Sequence, residues 1–484
     1  MSPKNLVRIG CLFLCVAVTS LFAQDTERSR DTLQTTNTPN TASAVNHGAP
    51  EGLAKSNDIK LGISGMAGIE ESQFVKGYFL GNQVGGKLPY PIWNHRSYVQ
   101  LGIDAFIGDR LHIVVEPQVY LWSNTYPETI EGDHLGVFFR QWSFVSIADG
   151  EGIISFGDYQ KPFLQFAAGV MPFKYNSDAY NLGEYLFRSG TYPTFVITSF
   201  DHPSATLAGI RLSSTLFENL RQDLLLTCET QVEPLYDWSL SYLVGYKLPS
   251  LLDIGAGASL YRCFPAAGGL TSPQASVYGA NQYVDADGNT SFYTFKGIKL
   301  MGRASFDIKG VLPSGASEIM GKEDGKIFLE AAVLGVKNYP AFLRTADSSL
   351  IRDTSFDYYG DIKQRIPIMF GFNFPTFKVL DVLSIQGEWR NWPYLNSFFD
   401  PLNQGKYPVP LSTTGGITLA DLKNSYLKWS VYAKKEVIKG FSVIGQIAND
   451  HTFHESYYPV YTSYAEAFIK HGDWGWWLKC QFAF

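Results

Sequence analysis

The stretch WGWWLKCQFAF, residues 474–484, alternates between two kinds of side chain. Its even-numbered positions carry Trp, Trp, Leu, Cys, Phe and Phe, whereas its odd-numbered positions carry Gly, Trp, Lys, Gln and Ala. Successive side chains of a β-strand point to opposite faces of the sheet. The stretch therefore predicts a strand with one apolar and one largely polar face, each in contact with a different medium.

Four further stretches show the same alternation. They are LHIVVEPQVYL (111–121), FKGIKLMGRASFDI (295–308), VLSIQGEWRNW (382–392) and YLKWSVYAKK (426–435). In the first, Ile113 and Val115 share one face, whereas His112 and Glu116 share the other. Alternation of this kind fits a half-buried sheet, either in a secreted sandwich or in a membrane barrel.

The connections between these stretches favour the barrel. Short turns are predicted at GDR (108–110), ADGE (148–151), KLPS (247–250) and EVIK (436–439). Long polar and aromatic stretches are predicted as loops at 122–134, 263–293, 338–363, 393–424 and 451–472. Short turns at one end and long loops at the other are typical of transmembrane β-barrels. The alternative is a secreted sandwich closed by an aromatic strand.

Counting the stretches predicts an all-β, antiparallel transmembrane barrel of about 16 strands over residues 59–484. The count uses one strand near 59–69, a last strand at 473–484, and hairpins near 97–121, 135–161, 207–231, 238–262, 295–337, 364–392 and 425–450. An 18-strand alternative stays open, because TFVITSF (194–200) is a possible partner of FLQFAAGV (163–170).

The N-terminus has the features of a secretory signal peptide. Lys4 and Arg8 precede an apolar run from Ile9 to Val18, and a cleavage site after Ala23 follows. The alternative, an uncleaved anchor, has an apolar run shorter than the ~20 residues that a helical span needs. We therefore predict a signal peptide over 1–23 and a flexible polar lead-in over 24–58.

Composition and motifs exclude several classes of function. The 484 residues have a net charge of −6 and no basic patch, which argues against nucleic acid as a partner. Cys228, Cys263 and Cys480 are widely spaced and predict neither a disulfide framework nor a zinc site. HTFHES (451–456) and DADGNT (285–290) are interpreted as a loop and a turn rather than as metal sites. No catalytic motif is present, so we predict no enzyme, no cofactor and no metal.

The end of the sequence resembles the C-terminal signature of Gram-negative outer-membrane proteins. That signature places alternating apolar residues before a terminal Phe, here Trp476, Leu478, Phe482 and Phe484. The resemblance implies location in the outer membrane, contact with its lipid, and assembly by the barrel assembly machinery.

The strand ending in GDYQKPF before a long third loop resembles bacterial porins, whose third loop folds into the pore and sets its constriction. The resemblance implies that loop 162–205 forms the constriction. Asp178, Glu184 and Arg188 would line it, with Lys161 and Lys174 in the same stretch. The loop lacks the acidic run of many general porins.

A wide barrel leaves an aqueous lumen that tolerates charged side chains. Alternation predicts these to face the lumen: Glu116, Arg140, Arg211, Lys299, Arg303, Glu388, Arg390, Lys428 and Lys434. Their mixed signs argue against strong ion selectivity, although Lys299 with Arg303, and Lys428 with Lys434, could form a basic wall that attracts anions.

We predict passive diffusion of small hydrophilic solutes, with the monomeric or homo-oligomeric state left open. The alternative is a binding barrel that uses the aromatic loops 390–400 and 454–464 to hold polysaccharide or a partner. An outer-membrane enzyme is a third class without support in the motifs.

Overall fold

A computed structural model describes most of the predicted barrel. The described residues are 59–76, 92–108, 110–130, 134–157, 162–187, 205–217, 219–228, 236–264, 282–284, 290–292, 297–334, 336, 342–344, 350–352, 362–391, 427–449, 453–455, 462–466 and 472–484. The predicted signal peptide and lead-in lie outside them. Within these ranges, no helix is both long and apolar enough to span a membrane.

The described residues form twenty-two strands. These are β1 (Ile59–Lys76), β2 (Ile92–Ile107), β3 (Leu111–Ile130), β4 (His134–Gly157), β5 (Pro162–Phe173), β6 (Ala205–Phe217), β7 (Leu220–Cys228), β8 (Trp238–Leu248), β9 (Leu252–Phe264), β10 (Gln282–Val284), β11 (Thr290–Phe292), β12 (Gly297–Asp307), β13 (Lys326–Leu334), β14 (Phe342–Arg344), β15 (Leu350–Arg352), β16 (Pro367–Asn373), β17 (Val382–Arg390), β18 (Leu427–Ile438), β19 (Phe441–Ala448), β20 (Phe453–Glu455), β21 (Thr462–Glu466) and β22 (Trp474–Ala483).

Sixteen of these strands form a closed antiparallel barrel. The exceptions form two small sheets, β11-β10-β15-β14 and β20-β21. The last strand closes the ring against the first, with Met66 opposite Ala483 and Lys76 opposite Trp474. The prediction of about 16 strands is confirmed. The 18-strand alternative is wrong, because β5 pairs with β6, whereas residues 194–200 lie outside the described ranges.

The barrel is polar inside and apolar outside. On β3, the outward-facing Ile113, Val115 and Val119 are exposed, whereas the inward-facing His112 and Glu116 are buried. The last strand follows the same rule, as its alternation predicts. An exterior covered by large apolar side chains is stable only against lipid, so the barrel wall spans a membrane.

One predicted hairpin is wrong. The described part of 135–161 belongs to a single strand, β4 (His134–Gly157), which passes through the predicted turn at 148–151, and residues 158–161 lie outside the described ranges. Asp149 and Glu151 point into the lumen, where polar side chains are tolerated. A bulge at Ala148 of β4, opposite Glu116 and Pro117 of β3, shifts the register within the predicted turn. The fifth strand is therefore β5, which had been assigned to the start of loop 162–205.

Two connections differ from the predicted rhythm. Most of the predicted loop 122–134 is strand, because β3 continues to Ile130 and β4 begins at His134. At the opposite end, β12 and β13 are joined by residues 308–325, which contain a 3-10 turn (Ile308–Val311) and helix α1 (Ser314–Glu318). A further 3-10 turn spans Ile362–Arg365.

Candidate functional site

Residues 174–187, which we call the inner segment, follow β5 and fold into the barrel. The side chains of Ala179, Leu182 and Tyr185 are fully buried, and most of their neighbours in the inner segment are buried as well. A segment that follows a strand of a membrane barrel can be enclosed to this degree only by the barrel's own interior, because the exterior faces lipid.

An apolar cluster holds the inner segment against the barrel wall. Leu182, Tyr185 and Leu186 pack in one cluster with Phe173 and Ala179. The wall contributes Leu225 (β7), Leu243 (β8), Met301 (β12), Phe328, Ala332 and Leu334 (β13) and Met369 (β16). Burying a large apolar side chain stabilises a packed state by about 1.5–3 kcal/mol, so this cluster contributes to holding the inner segment against one side of the lumen.

The carboxylate of Glu330, on β13, is the centre of the polar attachment. It accepts hydrogen bonds from the Tyr175 hydroxyl (2.6 Å), the Asn176 side-chain amide (2.7 Å), and the backbone N–H groups of Glu184 and Tyr185 (3.0 Å each). Glu330 is fully buried. A buried carboxylate is tolerated only when hydrogen bonds replace its lost hydration, and here four donors from the inner segment do so.

The backbone turns sharply to aim those two N–H groups. Gly183 and Glu184 both have positive φ, 92° and 60°. Glycine adopts this conformation freely, whereas Glu184 is strained in it by about 1–2 kcal/mol. The Glu184 carboxylate also accepts hydrogen bonds from the backbone N–H groups of Tyr175 and Asn176. Glu184 therefore closes the inner segment on itself.

Strand β17 supplies a second attachment. The side-chain oxygen of Gln386 accepts hydrogen bonds from the backbone N–H groups of Asn181 (3.0 Å) and Leu182 (3.2 Å). The Tyr185 hydroxyl donates to Glu388 (2.8 Å), and Lys428 lies 3.4 Å from the other oxygen of the same carboxylate. Two adjacent regions of the wall, β13 and β17, thus hold the inner segment at different points.

The remaining charges of the inner segment also have partners. Asp178 pairs with Lys326 at 3.2 Å. Burial opposes ionisation of Asp178, but the ammonium group of Lys326, a hydrogen bond with Ser305 and the charge of Lys174 together outweigh it and lower the pKa of the carboxyl group. The Lys174 ammonium donates to the carbonyl of Ala179. Burial, followed by the nearby carboxylates of Glu330 and Glu184, raises the pKa of Tyr175 well above its usual value.

The structure describes three of the five predicted constriction residues. It brings Lys174, Asp178 and Glu184 together in the inner segment, whereas Lys161 and Arg188 lie outside the described residues. Each of the three described residues has an internal partner.

The predicted lumen-facing residues are mostly buried on the inward side. Glu116, Arg211, Lys299, Glu388, Arg390 and Lys428 are buried, whereas Arg303 and Lys434 are half-buried. Lys299 donates to the Tyr185 carbonyl (3.4 Å), and Arg303 pairs with Asp253 (2.9 Å). Arg140 lies in β4 opposite Asn124, and its side chain is not described.

Sequence reasoning missed Glu330 and Gln386, the residues that attach the inner segment. A signal for one of them was present in KIFLEAAVL (326–334). Ile327 and Leu329 face lipid, yet Phe328, Ala332 and Leu334 on the lumen side are also apolar. A lumen-facing strand surface that is apolar indicates that another part of the chain covers it.

Metal and thiol chemistry find no support in the described residues. Within them, no group of three or more His, Cys, Asp or Glu side chains is arranged to hold a metal. In the described part of the chain, Cys228, Cys263 and Cys480 are not joined in disulfide bonds. His451 lies outside the described ranges, and the loops 390–400 and 454–464 lie largely outside them.

The chain folds as a transmembrane β-barrel with the architecture of a porin. Its closed ring of sixteen strands, apolar exterior, polar interior and infolded segment after the fifth strand together define that architecture. No family model matches the sequence, and no curated protein matches it either.

Several solved outer-membrane structures are similar to this porin-type barrel at very low identity. A mutant of the Rhodopseudomonas blastica porin is 8% identical, with 88% of this chain and 100% of that chain covered and a TM-score of 0.37. OprB of Pseudomonas putida is 9% identical, with 88% of this chain and 94% of that chain covered and a TM-score of 0.44. The outer-membrane channel DcaP of Acinetobacter baumannii is 9% identical, with 88% of this chain and 97% of that chain covered and a TM-score of 0.40.

Proposed function

We propose that this barrel is a passive diffusion channel for small hydrophilic solutes, narrowed by the inner segment. The observation that carries the proposal is the attachment of residues 174–187 to β13 and β17 inside the ring. A sixteen-stranded barrel is wide enough to leave an aqueous lumen, whereas eight strands are filled by their own side chains. The inner segment reduces that lumen from one side.

The inner segment narrows the channel mainly by its bulk. The charges of Lys174, Asp178 and Glu184 are each engaged in contacts within the barrel. The ammonium group of Lys326 neutralises Asp178, and the opposite charges of Lys174 and Glu184 offset each other within the inner segment, so these side chains together exert little net field on a passing ion. Solute size is therefore limited by the packed body of residues 174–187, and charge preference is set elsewhere in the lumen.

Single-channel conductance in a planar bilayer tests the proposal. The refolded protein is compared with a variant in which residues 174–187 are replaced by a short Gly-Ser linker. We expect stable current steps from the natural chain and larger steps from the variant. Far-ultraviolet circular dichroism and resistance to unfolding in detergent serve as controls for barrel formation. A folded barrel that is silent with and without the inner segment would refute the channel.

A further inference from the structure

Four neutral polar side chains occupy neighbouring positions on the inward face of β16–β19. The strand pairings place Asn373 opposite Ser384 and Ser384 opposite Tyr432, with Gln446 on the other side of Tyr432. Ser430 lies two positions before Tyr432 on β18 and therefore faces the same way. We call Asn373, Ser384, Ser430 and Gln446 the neutral cluster.

The neutral cluster is buried, but most of its polar atoms lack hydrogen bonds. The exposed fractions of Asn373, Ser384 and Ser430 are 0%, and that of Gln446 is 4%. The Asn373 amide nitrogen and oxygen, the two serine hydroxyls and Nε2 of Gln446 have no hydrogen-bond partner among the residues that the structure describes. Buried polar groups in proteins are normally satisfied by the chain itself or by a bound molecule, because an unsatisfied group is costly. Adjacent donors and acceptors of this kind point to a bound molecule.

The inner segment covers the neutral cluster from the lumen side. Asp178 pairs with Lys326 on β13, and the ring of Tyr180 stacks on that of Tyr432 on β18, with 4.3 Å between their centroids. Ala179 lies between these two contacts and is fully buried, so the inner segment crosses β16 and β17, which carry half of the neutral cluster. The Tyr180 side chain is partly exposed. The neutral cluster thus lies behind a side chain that a solute in the lumen meets.

The chemistry of the neutral cluster selects the kind of ligand. Its serine, asparagine and glutamine side chains can each donate and accept hydrogen bonds, and none of them carries a charge. Val382 and Ile444 pack beside them against Tyr432 and are uncharged as well. An ion bound among these groups would lose its hydration without meeting an opposite charge. A hydroxyl group both donates and accepts, so it matches the neutral cluster.

We propose that the neutral cluster is a binding site for hydroxyl groups, supplied either by a neutral polyol that passes through the channel or by ordered water. A hydroxyl bound there satisfies groups on β16–β19 beneath the inner segment and so stabilises the seat of residues 178–180. The polyol source rests on the proposed channel, whereas the binding site itself does not.

The sign of a serine-to-alanine effect tests the site. In S384A/S430A, we expect a protease to cleave residues 174–187 of the detergent-solubilised protein about two- to tenfold faster for each serine removed, the factor that corresponds to one net hydrogen bond. Without a ligand, the same change removes buried groups that have no partner, so cleavage stays the same or slows. Unchanged or slower cleavage would therefore overturn the site. S384A and S430A alone give the same comparison if the double variant does not fold.

The matched control is S155A/S213A. Both of these serines are buried in the lumen wall and have partners, because Gln165 donates to Ser155 and Ser213 donates to Asp223. They lie on β4 and β6, away from β16–β19, so cleavage of the inner segment should match that of the natural chain. An equal acceleration in this control would assign the effect to the loss of buried serines in general and would also overturn the site.

Single-channel recording with D-sorbitol as the probe separates the two sources of hydroxyl groups. If the polyol binds, the current through the natural chain falls with a saturable dependence on sorbitol concentration, and the half-saturating concentration is about two- to tenfold higher in S384A. If water fills the site, the current falls only in proportion to the conductivity of the solution, equally in both proteins, and the hydroxyl groups are those of ordered water. A silent barrel would remove the proposed channel, and the cleavage experiment would still decide the binding site.

Discussion

The two sides of the lumen use the same residue types for different purposes. On the wall that holds the inner segment, Glu330 and Glu388 accept hydrogen bonds from it and are fully buried. On the opposite side of the lumen, Glu116 on β3 and Asp149 on β4 lie directly opposite each other in the sheet. Carboxylates on the first wall accept hydrogen bonds from the inner segment, whereas those on the second are neighbours in paired strands.

Burial of a charge does not by itself reveal its role. A carboxylate that has exchanged its hydration for several hydrogen bonds fixes a structure, because removing it leaves buried donors without partners. A carboxylate next to another carboxylate creates a field in the space beside it. Substitutions on the two sides should therefore affect different properties of the channel.

The largest effect is expected from Glu330. In E330A, two backbone N–H groups, one hydroxyl and one amide lose their shared acceptor, and each buried orphan costs about 1–3 kcal/mol. We expect E330A to destabilise the attachment of the inner segment by at least about 3 kcal/mol. The current steps of the channel should then become larger and noisier as the segment detaches. E330Q, which keeps one acceptor oxygen, should lie between E330A and the natural chain.

Limited proteolysis of the detergent-solubilised protein provides a second measurement of how firmly the inner segment is attached. Cleavage within residues 174–187 should become faster in E330A while the barrel itself stays resistant. E318A removes an exposed carboxylate from α1 and serves as the control, with no change expected. Equal step size and equal protection in E330A would show that the apolar cluster alone holds the inner segment.

A smaller effect is expected from the turn that aims the two N–H groups. At Gly183, φ is 92°, and an added Cβ would come within 2.8 Å of the Met369 methyl group. G183A should therefore destabilise the attached state by about 1–2 kcal/mol, less than E330A does. The difference is measured as the temperature at which a protease begins to cleave residues 174–187 in each variant. G315A is the control, because its Cβ would enter open space in α1.

The fold could be predicted from the sequence where a strand is defined by one rule, the alternation of apolar and polar side chains. Alternation in β22 placed Leu478 outward and Lys479 inward, and the strand count followed from the same rule. Prediction failed in β4, because Asp149-Gly150 has the composition of a turn. A lumen-facing Asp in a barrel strand meets the same polar surroundings as a turn residue does, so composition cannot separate the two.

The attachment of the inner segment was less accessible to sequence reasoning than the barrel. Residues 174–187 and Glu330 are about 150 positions apart, and their contacts depend on the curvature that closes the ring. The resemblance to porins indicated the infolded loop. The roles of its charges follow from partners on β13 and β17, which local patterns do not specify.

The smallest expected effect is a weaker attachment of the inner segment at very low and at very high pH. Asp178 has a lowered pKa, so its pairing with Lys326 stabilises the inner segment above the ordinary value of about 3.9 and is lost as pH falls through the lowered value. Tyr175 has a raised pKa, so its contribution is complete below about 10 and is lost as pH rises through the raised value. Protease protection of residues 174–187 should therefore be constant between these limits and fall outside them. D178N should abolish the acid change and Y175F the alkaline one. An acid change that survives in D178N would show that Asp178 does not cause it.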